Sequence, residues 1–181
     1  DQWGTDGYNL WGGYYNQGMV EFVNASPKMS YSSITESSEY GLLFDGNSTT
    51  TVDHVEISNV DRDPLAMSLK SDPQFSNITF SGEGSRGIRI LEGDLSSDAT
   101  LKQRDVAGIQ NIAYIVDDLT IKSDATLTIE PGVVIKFSEY HGRGINVYGG
   151  LIAKAAPNNK IIFTSYRDDS AGGDSNNNGT A

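Results

Sequence analysis

Short runs of alternating apolar residues recur along the chain at a fixed spacing. Three of these runs begin 23 residues apart, at Met29, Val52 and Phe75. The runs that follow them keep this spacing, with apolar pairs at 42 and 44, 65 and 67, and 88 and 90. Because side chains alternate between the two faces of a β-strand, each run directs its apolar residues to one side. A 23-residue period of short strands therefore predicts a solenoid, whose coils bury their apolar faces by stacking on one another.

The stretch from Leu119 to Ser165 contains a block of three short strands that occurs twice. The first copy has apolar alternation at 119–121, 127–129 and 134–137, and the second copy has it at 145–147, 151–153 and 161–164. Matching the two copies in order gives offsets of 26, 24 and 27 residues. These offsets predict two coils that are longer than the 23-residue coils and have three strands each.

A family resemblance rests on two stretches of this region. These are LTIKSDATLTIEPGVVIKF at 119–137 and INVYGGLIAKAAPNNKIIFTSYRDDSAGGDSNNNGTA at 145–181. Both resemble the coils of secreted or cell-surface right-handed parallel β-helix repeat proteins of bacteria, the pectate-lyase-like architecture. The resemblance implies an all-β fold, a right-handed parallel β-helix, and the chain length accommodates about six to eight coils. It implies no particular activity, because this architecture carries lyases, hydrolases, adhesins and passive scaffolds.

The chain is expected to form one β-helix domain or segment, since no change in composition divides the repeats. We divide it into an irregular start rich in aromatic residues and glycine (1–28), three 23-residue coils (29–91), a connector (92–113), two longer coils (114–165) and a loop rich in Gly, Asn and Asp (166–181). The connector fits neither period. It is either a partial coil with Leu101 and Val106 facing inward or an excursion from the solenoid wall.

The charge of the chain limits its partners. The sequence has 24 acidic and 13 basic residues, a formal net charge of −11, and no cluster of Lys or Arg. Nucleic acid binding is not expected, because it needs a basic surface. Membrane insertion is not expected either, because no apolar run approaches the length of a membrane span. The absence of cysteine excludes disulfides and thiolate metal sites.

An acidic surface attracts divalent cations, and one loop has the residue types and spacing of a calcium site. Asp174, Asn176, Asn178 and Gly179 match the first half of an EF-hand-type loop, in which oxygen ligands alternate and a glycine permits a sharp bend. Asp168 and Asp169 supply further carboxylates in the same loop. The residues expected to ligate metal are Asp168, Asp169, Asp174, Asn176 and Asn178. The alternative is a solvated loop without metal.

Aromatic residues near the start of the chain are candidates for carbohydrate binding. Trp3, Trp11 and Tyr14 could stack on sugar rings, since aromatic faces pack against pyranose faces. In the alternative interpretation, these residues pack together as the first, irregular coil.

The evidence for catalysis in the sequence is weak. Two acidic pairs, Asp61 with Asp63 and Asp117 with Asp118, could act as the acid and base of a glycosidase, but neighbouring carboxylates on a turn more often face water. The motifs of β-helix hydrolases are incomplete, and β-helix lyases use an arginine base near acidic residues. Only Arg89 could occupy such a position.

These observations predict a non-catalytic, structural or adhesive β-helix segment of a secreted or cell-surface protein, bacterial or archaeal. Open strand edges at the ends of a solenoid need to be covered, and neither terminus has an amphipathic capping helix. The ends are therefore expected to continue into neighbouring repeats or to stack on other copies of the chain, as part of a larger repetitive protein or filament. The alternative function is polysaccharide binding or degradation.

Overall fold

The computed structural model describes residues 18–82, 84–91, 93–138 and 144–179. Within these residues the chain forms seventeen β-strands. The described residues contain no helix that is long and apolar enough to cross a membrane. Every pairing between strands is parallel. The strands are β1 (Gly18–Val23), β2 (Lys28–Ser37), β3 (Tyr40–Asp45), β4 (Thr51–Val60), β5 (Leu65–Met67), β6 (Gln74–Ser76), β7 (Thr79–Ser81), β8 (Ile88–Ile90), β9 (Asp94–Leu95), β10 (Ala99–Leu101), β11 (Tyr114–Val116), β12 (Asp118–Ile121), β13 (Thr126–Ile129), β14 (Val134–Phe137), β15 (Gly144–Val147), β16 (Gly150–Ala153) and β17 (Ile162–Ser165).

The strands stack into about six turns of a right-handed parallel β-helix, which confirms the expected fold. One sheet runs along the whole solenoid in the order β1-β3-β5-β8-β11-β14-β17, so each turn adds one strand to it. In the first turns the opposite wall is a single sheet of β2, β4, β6 and β7. In the later turns this wall is replaced by two sheets, β9-β12-β15 and β10-β13-β16. The cross-section therefore changes from two sides to three.

The 23-residue register is confirmed at both walls of the first turns. Met29 pairs with Val52 and Val52 with Phe75 on one wall, and Leu42 pairs with Leu65 on the other. The apolar residues of these runs form a core along the solenoid axis. At one level of this core the rings of Phe22 and Phe44 stack at 5.3 Å, and Phe75 contacts Phe44 edge-on at 5.6 Å.

In the longer coils, two of the three predicted offsets are correct and one is wrong by one residue. Leu119 pairs with Ile145 and Leu127 with Leu151, as expected. Val134, however, pairs with Ile162, at an offset of 28 residues rather than 27. The run Val133-Val134-Ile135 is apolar on both faces, so its alternation does not specify which residues point inward. Ile135 belongs to the core, whereas Val134 is buried on the outside.

The segment 92–113 forms a coil of the solenoid. Its strands β9 and β10 pair with β12 and β13. Leu101 and Val106 are buried in the core, as in the first of the two alternatives for this segment. A tight turn follows, in which Val106 and Ile109 form an antiparallel bridge.

The long strands β2 and β4 bend at corners where the backbone enters the left-handed region. One column of corners contains Tyr31, His54 and Asn77, with φ angles of 50°, 50° and 53°. The members of this column are 23 residues apart, so each corner stacks on the equivalent corner of the next turn.

Candidate functional site

The predicted calcium loop lies across the outside of the solenoid. We call residues 166–179 the strap. Its chain reverses after β17 and runs back over earlier turns. The carbonyl oxygen of Gly172 accepts a hydrogen bond from the amide of Ala113 at 3.2 Å, and that of Ser175 accepts one from the amide of Arg86 at 2.9 Å. The strap therefore connects turns that are far apart in the sequence.

The carboxylates of the strap form local hydrogen bonds. The carboxylate of Asp168 accepts hydrogen bonds from Ser170 and Thr164, and these bonds, that of the Ser170 hydroxyl first, lower its pKa to about 2. The carboxylate of Asp174 accepts hydrogen bonds from the backbone amides of Asn178 and Gly179, the latter at 2.8 Å. The side-chain oxygen of Asn176 also accepts the amide of Asn178, at 3.3 Å.

Asp169 is different, because both of its carboxylate oxygens are buried and accept no hydrogen bond within the described part of the chain. The side chain of Lys136 lies under the strap and donates a hydrogen bond to the carbonyl of Gly173 at 2.6 Å. The negative charge of Asp169 acts to raise the pKa of Lys136. Burial lowers the pKa of Lys136, and this effect outweighs the opposing effect of Asp169.

Among the described residues, no group of three or more His, Asp or Glu is arranged to hold a metal ion. Calcium binding by the strap stays a prediction.

The strap is expected to be sensitive to side chains at Gly172. This glycine has a φ of 68°, and a Cβ there would lie 2.8 Å from the Cβ of Ala113. Gly172→Ala should lower the free energy of unfolding by about 1–3 kcal/mol more than Gly108→Ala. Gly108 is the matched control, because its φ is 76° but a Cβ there would meet nothing within 4 Å. Urea unfolding of both variants checks the prediction, and equal losses would show that the strap is not tightly packed.

One member of each predicted acidic pair contacts the same arginine. Arg89 projects outward from β8 and lies between Asp63 of the preceding turn and Asp117 of the following turn. Its Nε donates to Asp63 at 2.8 Å, and its Nη1 donates to Asp117 at 2.9 Å. The side chain of Asp63 is only 1% exposed, and it also accepts a hydrogen bond from the Ser85 hydroxyl. This arrangement bridges three turns of the solenoid.

A polar cavity of about 330 Å³ adjoins Arg89, and the strap forms one of its walls. Its lining residues are Asp61, Arg62, Asp63, Gly84, Ser85, Arg89, Tyr166, Asn176 and Asn177. Burial by itself lowers the pKa of Arg89, but the Asp63 and Asp117 carboxylates outweigh it and the pKa is raised. Burial raises the pKa of nearby Tyr40 to about 12. Both shifts favour the protonated form of the side chain.

A larger cleft of about 720 Å³ lies where the cross-section changes from two sides to three. Outward-facing threonines of β10 and β13, Thr100 and Thr128, lie side by side on its floor. Lys102 and Asp72 form an ion pair at its edge, with 2.6 Å between Nζ and Oδ2. The remaining lining residues are Asn47, Leu69, Lys70, Ser71, Asp98, Ala99, Thr126 and Ile152. The cleft is hydrophilic and carries charges of both signs.

The last turn exposes side chains that are buried at the same positions one turn earlier. Val147, Leu151 and Phe163 are 45%, 38% and 46% exposed. Their partners in the preceding turn, Ile121, Leu127 and Ile135, are at most 1% exposed. We call the surface of β15, β16 and β17 that faces away from the preceding turn the C-terminal face. It combines apolar side chains with strand edges to which no described strand is paired.

Coils of parallel strands that stack into continuous sheets define a β-helix. Residues 18–128, more than half of the chain, match the family described as "Right handed beta helix region", and the chain belongs to this family. Comparisons with curated proteins and with solved structures gave no significant match.

The predicted site residues lie in different parts of the chain, and not all of them are among the described residues. The strap brings Asn176 to the cavity beside Asp63, although these residues are more than a hundred positions apart. The predicted sugar-stacking residues Trp3, Trp11 and Tyr14 lie outside the described residues. Sequence reasoning missed the burial of Lys136. The sequence contained a signal for this burial, because a lysine inside the apolar run Val-Ile-Lys-Phe either extends into solvent or is covered by another segment of the chain.

Proposed function

We propose that the chain is a rigid, non-catalytic segment of an extracellular structural or adhesive protein. Asp63 and Asp117, one carboxylate from each acidic pair, both bind Arg89, which supports a structural role for these two groups. Proteins of this family are often extracellular, which supports the location.

The observation that carries the proposal is the apolar C-terminal face. Three inward-facing side chains of the last turn are about half exposed, and exposed strand edges of this kind favour pairing with another chain. A further coil of strands would bury these side chains and pair these edges. In a solution of the isolated chain, such a coil can only come from a second copy.

The test is the size distribution of the purified chain at increasing concentration. We expect concentration-dependent association by light scattering, and we expect Leu151→Lys to abolish it, because the charge would be buried in the interface. Ile152→Lys is the matched control. Ile152 is the next residue on β16, is 51% exposed and points to the opposite side of the strand.

Either of two results would contradict this proposal. The first is a single monomeric species at all concentrations. The second is association that the two substitutions weaken equally, which would indicate nonspecific contact between apolar surfaces.

Polysaccharide binding is the second candidate function, and the 720 Å³ cleft favours it. The cleft crosses several turns and presents hydroxyl groups spaced by the distance between neighbouring strands, about 4.8 Å. An extended, hydroxyl-rich polymer could form repeated hydrogen bonds along such a surface.

A further inference from the structure

One residue of the corner column of Tyr31, His54 and Asn77 fits its backbone poorly, and this residue is Tyr31. All three residues have φ near 50°. Asparagine tolerates this left-handed region, whereas a bulky residue there is an outlier that costs about 1–2 kcal/mol. Asn77 shows that asparagine meets the needs of this corner. Histidine is also enriched in this region, so only the tyrosine at Tyr31 is not explained by the backbone.

The side chains at these corners form an ordered, exposed stack. The Tyr31 ring stacks on the His54 ring, with 4.7 Å between ring centroids and 17° between planes. The His54 ring is held through its Nδ1, which lies 2.8 Å from the Asp53 carboxylate. Tyr31 is nevertheless 78% exposed, the highest value among the exposed large apolar side chains of the described residues.

The Asp53 carboxylate, which bonds to His54, accepts hydrogen bonds from polar residues of the next turn. The Ser76 hydroxyl donates to Asp53 at 2.6 Å, and the Asn77 amide donates to the same oxygen at 3.0 Å. These hydrogen bonds lower the pKa of Asp53 to about 2, that from Ser76 most, so the carboxylate is ionised at neutral pH. We call Tyr31, His54, Asp53, Ser76 and Asn77 the Tyr31 platform. Its aromatic ring is positioned in advance and exposed to solvent.

We propose that the Tyr31 platform binds a sugar ring of a neutral glycan, which stacks on the exposed ring of Tyr31. A fixed aromatic ring gives a large amphipathic contact area and loses little side-chain entropy on binding. Exposed serine hydroxyls at Ser30 and Ser33 lie on the same strand and can bond to sugar hydroxyls. The net charge of −11 disfavours anionic glycans and nucleic acid bases. This binding site goes beyond the proposed scaffold role and does not depend on the C-terminal face.

The test is retention of the protein on insoluble cellulose, chitin, xylan and mannan. The key variant is Tyr31→Asn, because asparagine suits the corner backbone and removes the ring. We expect about tenfold weaker retention on the polymer that binds the wild type. The melting temperature should change by no more than about 3 °C, since strain relief offsets the lost stacking. His54→Asn should weaken retention by a smaller factor, because it removes only the support of the ring.

Tyr148→Asn is the control, since Tyr148 is 74% exposed and lies in the last turn. It should retain wild-type affinity. Three results would overturn the proposal. The wild type could bind none of the four polymers, which would point to a protein partner for the platform. The two tyrosine variants could lose binding equally. Finally, Thr128→Trp in the cleft could abolish binding while Tyr31→Asn preserves it, which would locate the polymer in the cleft.

Discussion

Replacing Asp63 with alanine is expected to lower the free energy of unfolding by about 3–5 kcal/mol, because it removes one partner of a buried ion pair. The Asp63 side chain is 1% exposed and the Arg89 side chain 14%. Without Asp63, Arg89 would keep only Asp117, which is 41% exposed. The Ser85 hydroxyl would also lose its acceptor. Urea unfolding followed by circular dichroism measures the loss.

The control for this prediction is Asp61→Ala on the same turn. Asp61 is exposed, and surface substitutions of this kind change stability by no more than about 0.5 kcal/mol. A double variant in which Asp63→Leu and Arg89→Met replace both charges should recover most of the loss, since no unpaired buried charge remains. If Asp63→Ala is as stable as Asp61→Ala, the arginine does not bridge the three turns as described.

Replacing Phe44 with alanine is expected to cost a similar amount, about 3–5 kcal/mol, because it leaves a large cavity in the core. Phe44 is fully buried and contacts Phe22 and Phe75 from the turns on either side. Turns of a solenoid are stabilised mainly by their nearest neighbours, so a cavity here should loosen three adjacent turns. Hydrogen exchange of the amides in β1, β3 and β5 should report this loosening directly.

Phe163→Ala is the matched control, because it deletes the same ring at the C-terminal face. Phe163 is 46% exposed, so about half of its apolar surface is already in water. We expect a loss of about 1 kcal/mol from this variant. Equal losses for the two variants would contradict the difference in burial between them.

The sequence predicted the turns whose spacing is constant. The 23-residue runs are unambiguous because Leu42, Leu65 and Ile88 recur at one fixed interval. It was less informative where strands are short or buried on both faces. Strand β9 has two residues, too few for a period, and the run at 133–135 is apolar throughout.

The candidate site was predicted in parts that the sequence could not join. Asp63 and Asp117 were recognised as members of two separate acidic pairs. They are 54 positions apart, and only the stacking of turns places both beside Arg89. The path of the strap was not predictable either. Its contacts with Ala113 and Arg86 use backbone carbonyls, which leave no trace in residue type.

The change from two sides to three gives the described part of the chain unlike ends. A two-sided turn stacked on a three-sided turn would leave one sheet without a partner, so copies joined head to tail would fit poorly. Two C-terminal faces have the same outline, and a two-fold axis between them would join like with like. Such a contact uses up both surfaces and is closed. Association of the isolated chain through the C-terminal face is therefore expected to stop at a pair of molecules.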